Sequence, residues 1–175
     1  LHTSMRKIAR EDVNICTVED PIEIINEELN QMQVNKKLEI TFGNAIRSFL
    51  RQDPDIIMVG EIRDTDAGEM AIQAALTGHL VLSTLHTNDA LSSITRLIDL
   101  GIPPHLITAS LRGMMAQRLV RKLCEFCKEK IPTPIEAWQD VCGEHKIKPP
   151  PFVFAPSGCR ECKNSGYNGR ICIYE

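Results

Sequence analysis

Apolar residues along this chain fall into short runs broken by glycine, proline and polar clusters. Residues 13–18, Val-Asn-Ile-Cys-Thr-Val, form a β-prone run that stops at Glu19-Asp20-Pro21, since proline cannot continue a strand ladder. Phe42, Ala45, Ile46, Phe49 and Leu50 recur at i, i+3, i+4, i+7 and i+8, one face of a helix. Thr41 is its expected N-cap, and Pro54 closes the segment by disfavouring helix in the residue before it. Asp55-Ile56-Ile57-Met58-Val59 reads as a buried strand running into Gly60-Glu61. Residues 66–77 predict a helix stopped by Gly78, and residues 79–84 predict a third strand. Asn88 is placed to cap a helix whose apolar face is Leu91, Ile94, Leu97 and Ile98, closed by Gly101 and Pro103-Pro104. Residues 106–117 read as helix again, while residues 118–123 fit a strand or a helix end.

Strand, helix, strand, helix, strand, helix is the order of a parallel α/β sheet, and near-continuous apolar strands imply burial on both faces. The pattern changes at Cys124. From there to Arg170 the chain is rich in Cys, Pro, Lys and Gly, with little apolar material. The expected division is therefore an α/β domain over residues 1–123 and a small loop-rich module over residues 124–175.

The total of 175 residues suits one domain plus a module, and 43% hydrophobic with 25% charged residues excludes wholesale disorder. Twenty basic against 23 acidic residues give a net charge of −3, which argues against a nucleic-acid binder. No apolar run approaches the ~20 residues of a membrane helix, and nothing resembles a signal peptide, so the cytoplasm is the expected compartment.

Four of the seven cysteines change the picture of the second segment. They form the pattern C-x2-C-x31-C-x2-C at Cys124, Cys127, Cys159 and Cys162. Without secretion signals, such knuckle spacing reads as metal ligation before disulfides, with a redox pair as the alternative. Four soft sulfur ligands favour Zn²⁺ in a closed, structural site. Lys128, Arg160 and Lys163 are near enough in sequence to offset the thiolate charge. Cys16 reads as a small buried hydrophobe, Cys142 and Cys172 have no assigned role, and Phe126 and Trp138 are expected to be packing residues. Arg112, Arg118, Arg121 and Lys122 form a basic stretch, either a solvated face or a surface for a neighbouring subunit or membrane-bound partner.

Ligands of open parallel sheets bind at the carboxyl ends of the strands. The three expected strands end at Glu19-Asp20, Glu61 and Thr84-Leu85-His86, which lines acids and a histidine along one edge. Acids there can hold a metal or orient water, and a neutral donor can meet a phosphate. Polar residues also simply begin loops, so the pattern alone leaves both readings open. A phosphate-binding loop needs a Gly-Lys step, and none of the ten glycines is followed by lysine.

Three segments carry a specific resemblance. Ile15-Cys16-Thr17-Val18-Glu19-Asp20-Pro21-Ile22-Glu23 resembles the aspartate box of the secretion ATPases, the motors of type II secretion and type IV pilus assembly. Arg51-Gln52-Asp53-Pro54-Asp55-Ile56-Ile57-Met58-Val59-Gly60-Glu61-Ile62-Arg63-Asp64 resembles their Walker B region. Gly78-His79-Leu80-Val81-Leu82-Ser83-Thr84-Leu85-His86-Thr87-Asn88-Asp89-Ala90 resembles their histidine box.

This resemblance implies part of a RecA-like P-loop NTPase sheet with a tetracysteine zinc module. It implies that the phosphate loop, the N-terminal domain and the arginine fingers lie upstream of Leu1, and that the chain is a fragment unable to turn over ATP alone. It implies catalytic roles for Glu61, which would orient or deprotonate the attacking water, for Glu19, and for His86, which would contact the γ-phosphate. Asp20 and Glu23 are implied in placing water or Mg²⁺. Asp55 and His79 belong to the matched boxes and are carried as nucleotide-site residues, although each begins its strand. Clustered carboxylates repel one another, so a nearby cation or arginine is expected to offset them.

The implied cofactors are ATP, Mg²⁺ and Zn²⁺. The implied partners are a homo-hexamer and an inner-membrane platform protein, with the chain peripheral to the inner face of the membrane. The tetracysteine element points to pilus extension or export rather than retraction. A non-catalytic zinc-ribbon binding module and a degenerate relative without hydrolysis are the alternatives.

Overall fold

The computed structural model describes residues 1–143, 145 and 147–175. They divide into two compact units, Leu1–Ala116 and Gln117–Glu175.

The first unit is built on a four-stranded parallel sheet of order β2-β1-β3-β4, with β1 at Ile15–Glu19, β2 at Asn30–Gln33, β3 at Ile56–Val59 and β4 at Leu80–Ser83. Both central strands, β1 and β3, are buried at every position. Their side chains alternate between two apolar layers, as the two-residue period of a strand dictates. Cys16, Val18, Ile57 and Val59 face α2 (Phe42–Phe49) and α3 (Thr65–Leu76), meeting Ala45, Ile46, Phe49, Ala67 and Met70. Ile15, Ile56 and Met58 face the other way, against Met5 of α1 (His2–Ile8) and Leu29. Removing this apolar surface from water is the main force holding the strand ends in place.

Local signals set the element ends. Thr41 caps α2, its Oγ1 accepting from the Asn44 N–H at 3.2 Å. The helix after Glu61 opens one residue before the expected start because Asp64 caps it, accepting from the Ala67 N–H at 2.9 Å. Gly78 ends the segment with φ of 104°, a left-handed backbone that suits glycine. For α4 (Ser92–Asp99) the capping side chain is Asp89 rather than Asn88. Asp89 accepts from the Ser92 N–H at 2.7 Å and from its hydroxyl at 2.6 Å.

The expected helix over residues 106–117 is shorter and earlier. It is α5, Pro104–Ser110, with proline in its first turn where the missing N–H costs nothing. The chain leaves helix at Leu111 and enters β5 at Gln117.

The second unit joins β5 (Gln117–Leu123) antiparallel to β8 (Tyr167–Tyr174) and β6 (Glu129–Pro132) antiparallel to β7 (Phe152–Ala155), with α6 (Ile135–Cys142) between the latter two. Pairing with β8 draws residues 117–123 into this unit, so it begins at Gln117 rather than at 124. Arg121 lies 3.8 Å above the Tyr167 ring, and Lys130 lies 3.4 Å above Phe152. Trp138 donates its ring N–H to the Ile147 carbonyl at 3.1 Å. Phe126 is 76% exposed, so it is not the packing residue expected; it sits between two cysteines whose chain turns outward. Among the described residues, no helix is long and apolar enough to cross a membrane.

Candidate functional site

The polar edge forms because parallel strands share one direction. β1, β3 and β4 therefore deliver Glu19, the Gly60-Glu61 step and the Thr84-Leu85-His86 segment to the same side. Two backbone contacts fix the spacing there. The Gly60 N–H donates to the Val18 carbonyl at 2.8 Å, and the Ile62 N–H donates to the Thr84 carbonyl at 3.1 Å. The Thr84 hydroxyl returns a 2.7 Å bond to the Gly60 carbonyl. A Cβ at Gly60 would lie 3.1 Å from the Val18 oxygen and 3.4 Å from Glu19 Cα, so the approach of β1 to β3 depends on glycine.

Glu61 is the centre of this edge, with a side chain 13% exposed. Its Oε1 lies 2.5 Å from an Arg63 guanidinium nitrogen and its Oε2 lies 3.0 Å from His86 Nε2. The Arg63 hydrogen bond holds the Glu61 carboxyl below the usual carboxylate range; partial burial opposes this, and His86 reinforces it. The other terminal nitrogen of Arg63 reaches Asp20 Oδ2 at 3.2 Å. One guanidinium thus bridges acids from the ends of two adjacent strands, supplying the counter-charge that clustered carboxylates require.

Glu19 is buried and separately held. Its Oε1 accepts from the Thr17 hydroxyl at 2.8 Å and from Gln31 Nε2 at 3.0 Å, while its Oε2 lies 3.2 Å from His2 Nε2. Glu23 sits further out, with a side chain 77% exposed and 3.9 Å from the same His2 nitrogen. Beside the edge, His86, Asn88, Ser92, Thr95 and Asp99 line an open polar cleft of about 610 Å³.

Asp55 and His79 are not brought to this place. Asp55 lies before the first residue of β3 and accepts the Asn14 N–H at 2.8 Å. His79 precedes β4; its Nδ1 lies 2.9 Å from the Ala74 carbonyl and 3.1 Å from the Thr77 hydroxyl at the end of α3. Both side chains tie strand beginnings to neighbouring chain, at the end of the sheet opposite Glu61.

Four residues were not singled out from the sequence. Thr17 had a legible signal, since residues two apart in a strand share a face and Thr17 faces the same layer as Glu19. Arg63 matches the arginine whose need was anticipated without a position. His2 and Gln31 arrive from α1 and β2, elements that no periodicity announced.

In the second unit the Sγ atoms of Cys124, Cys127, Cys159 and Cys162 all lie within 4.8 Å of one another. Three of the distances are 3.9, 3.8 and 3.8 Å, for Cys124 to Cys159, Cys127 to Cys162 and Cys159 to Cys162. These are far beyond a disulfide bond of ~2.05 Å. They match the ~3.8 Å between sulfurs arranged tetrahedrally at roughly 2.3 Å from a common zinc centre. Burial opposes ionisation of Cys162, but N–H donation from Cys159 and Gly166, each at 3.2 Å, brings it down to about 6. Burial pushes Cys127 up to about 12. The cluster can hold a soft metal ion.

The parallel sheet, with helices against it and acids at the carboxyl ends of its strands, makes the first unit an α/β domain. The family described as "Type II/IV secretion system protein" matches residues 1–175, and the chain belongs to that family. It is 54% identical over 175 residues to the type IV pilus assembly ATPase TfpB of Acinetobacter baylyi, covering 100% of this chain and 30% of that protein. It is 51% identical over 177 residues to the type II secretion system protein E of Pseudomonas aeruginosa, covering 100% of this chain and 34% of that one. Among solved structures, the pilus retraction motor PilT with bound ADP superposes with a TM-score of 0.63 at 37% identity, over 71% of this chain and 39% of PilT. The chain spans about a third of the length of the curated relatives it matches.

Proposed function

We propose that this chain is part of an ATP-hydrolysing motor subunit that powers pseudopilin or pilin polymerisation in type II secretion or type IV pilus assembly. The observation that carries the proposal is the Glu61 carboxylate, kept ionised between Arg63 and His86 at the carboxyl end of a central parallel strand. A carboxylate so placed can accept the proton of a water attacking a γ-phosphate. His86, an exposed side chain whose Nε2 meets Glu61 in this structure, would turn to donate to a phosphate oxygen when nucleotide is bound. Asp20 and Glu19 order the water and cation environment beside it, and Glu23 lines its outer rim. Oxygen donors from Asp20 and Glu23 suit Mg²⁺, which when bound with ATP would neutralise charge on the phosphates. Asp55 and His79 serve this site by fixing the far ends of β3 and β4.

Zn²⁺ fits the tetracysteine cluster, whose four thiolates leave no open position, so we assign it a structural role. The cluster, together with the matches to a pilus assembly ATPase and a type II secretion protein E, supports extension or export over retraction. In this reading the subunit works as a homo-hexamer docked on a platform protein at the cytoplasmic face of the inner membrane.

The test is Mg²⁺-dependent ATP turnover by the full-length protein, with Glu61→Gln beside it. We expect the variant to bind nucleotide normally and to lose about 100-fold or more in kcat, the usual scale for a general base. A folded, zinc-loaded hexamer without turnover would instead make this a regulatory relative.

A further inference from the structure

Glu19 is the one site acid that is buried, at 3% exposure, and its partners come from three elements. Thr17 lies on its own strand, Gln31 on β2 and His2 on α1. A buried carboxylate keeps its position and charge only when its oxygens are satisfied by donors. Thr17 and Gln31 both serve Oε1, so Oε2 depends on His2 Nε2 at 3.2 Å. Arg63 cannot take that part, because it is engaged by Glu61 and Asp20. The His2 side chain is 18% exposed, held among these contacts rather than free in solvent.

We propose that His2 is a positioning residue for hydrolysis: its Nε2–H fixes Oε2 of Glu19, so that the acid keeps one rotamer at the carboxyl end of β1, next to the strand that leads into Glu61. The proposal rests on the ATPase reading above. It assigns His2 no contact with nucleotide; its effect passes through Glu19.

The experiment uses the full-length protein and compares His2→Leu, which keeps the bulk and removes the donor, with His2→Gln, which keeps an N–H donor. We expect His2→Leu to lower kcat for ATP about tenfold, with KM for ATP and the oligomeric state unchanged, and His2→Gln to restore at least half of the activity. Unchanged kcat in His2→Leu overturns the proposal. Equal loss in both variants also overturns it, because the donor would then not be what matters. If His2→Leu does not fold, His2→Met decides by the same two outcomes. Glu61→Gln is measured alongside. If Glu61→Gln retains turnover, the ATPase reading of this site fails; if it loses turnover while His2→Leu does not, only the role of His2 fails.

Discussion

Arg63 holds Glu61 and Asp20 at once, 2.5 Å from the first and 3.2 Å from the second, so the acids at the ends of β3 and β1 share one guanidinium. Replacing it with methionine removes the strongest influence keeping Glu61 ionised at low pH. The Glu61 pKa is lowered in the folded protein, so the linked stability is complete above the ordinary carboxylate pKa and is lost as pH falls through the lowered value. Arg63→Met abolishes that contribution and lets Glu61 protonate at higher pH. The acid limb of the turnover–pH profile should therefore move upward, which a rate profile between about pH 4 and 7 would read.

Gly60 is a test of geometry without chemistry. A methyl group there would press on the Val18 carbonyl and on Glu19 Cα. Gly60→Ala should push β1 and β3 apart at their carboxyl ends by a few tenths of an ångström. Misplacement of this kind commonly costs more in rate than in fold. We expect kcat to fall about tenfold while the thermal midpoint drops by only a few degrees, a change of roughly 1–2 kcal/mol. Proportionate loss of both would show that the glycine matters for folding alone.

Asp55 and His79 should separate stability from turnover. Asp55→Asn weakens the bond to the Asn14 N–H, and His79→Ala removes the ring that bridges Ala74 and Thr77. Each is expected to cost about 1 kcal/mol in urea unfolding, the net worth of one such hydrogen bond. Turnover per folded molecule should stay within about threefold of the parent. A large loss of kcat in either would place that residue in the nucleotide site after all.

The tetracysteine cluster should bind one zinc per chain. Metal binding displaces thiol protons, so retention improves as pH rises. Zinc should be held at pH 8 and released as the solution approaches about pH 5. Cys159→Ser should lower metal content and loosen residues 117–175, read as faster amide exchange there. Cobalt substitution should give the intense charge-transfer bands of tetrahedral thiolate ligation. Full structure without metal would turn the cluster into a set of ordinary thiols.

α2 was legible because burial of one face imposes a helical period on Phe42–Phe49, and the central strands because burial on both faces makes Ile15, Val18, Ile57 and Val59 part of near-continuous apolar runs. β2 was not legible. Asn30–Gln33 is a polar edge strand whose pairing with β1 leaves outer positions in solvent, so no alternation marks it. The step from α5 to β5 was misread because residues 106–117 are apolar enough for helix, while the β8 partner that draws Gln117 into a strand lies 57 residues later, at Tyr174. At the site, each acid was visible at a strand end. Their donors were less so: Arg63 follows Glu61 by two residues, but His2 and Gln31 reach Glu19 only after the chain has folded.

Both cysteine pairs meet at a single point, and everything between them, β6, α6 and β7, leaves and returns through it. A chain pinched at its neck can change length beyond the neck without disturbing what the neck holds. The lobe beyond the cysteines is where such drift is cheapest. Grafting a foreign segment in place of residues 134–149 should accordingly leave metal content intact, which makes this lobe the natural place to carry a label or a reporter.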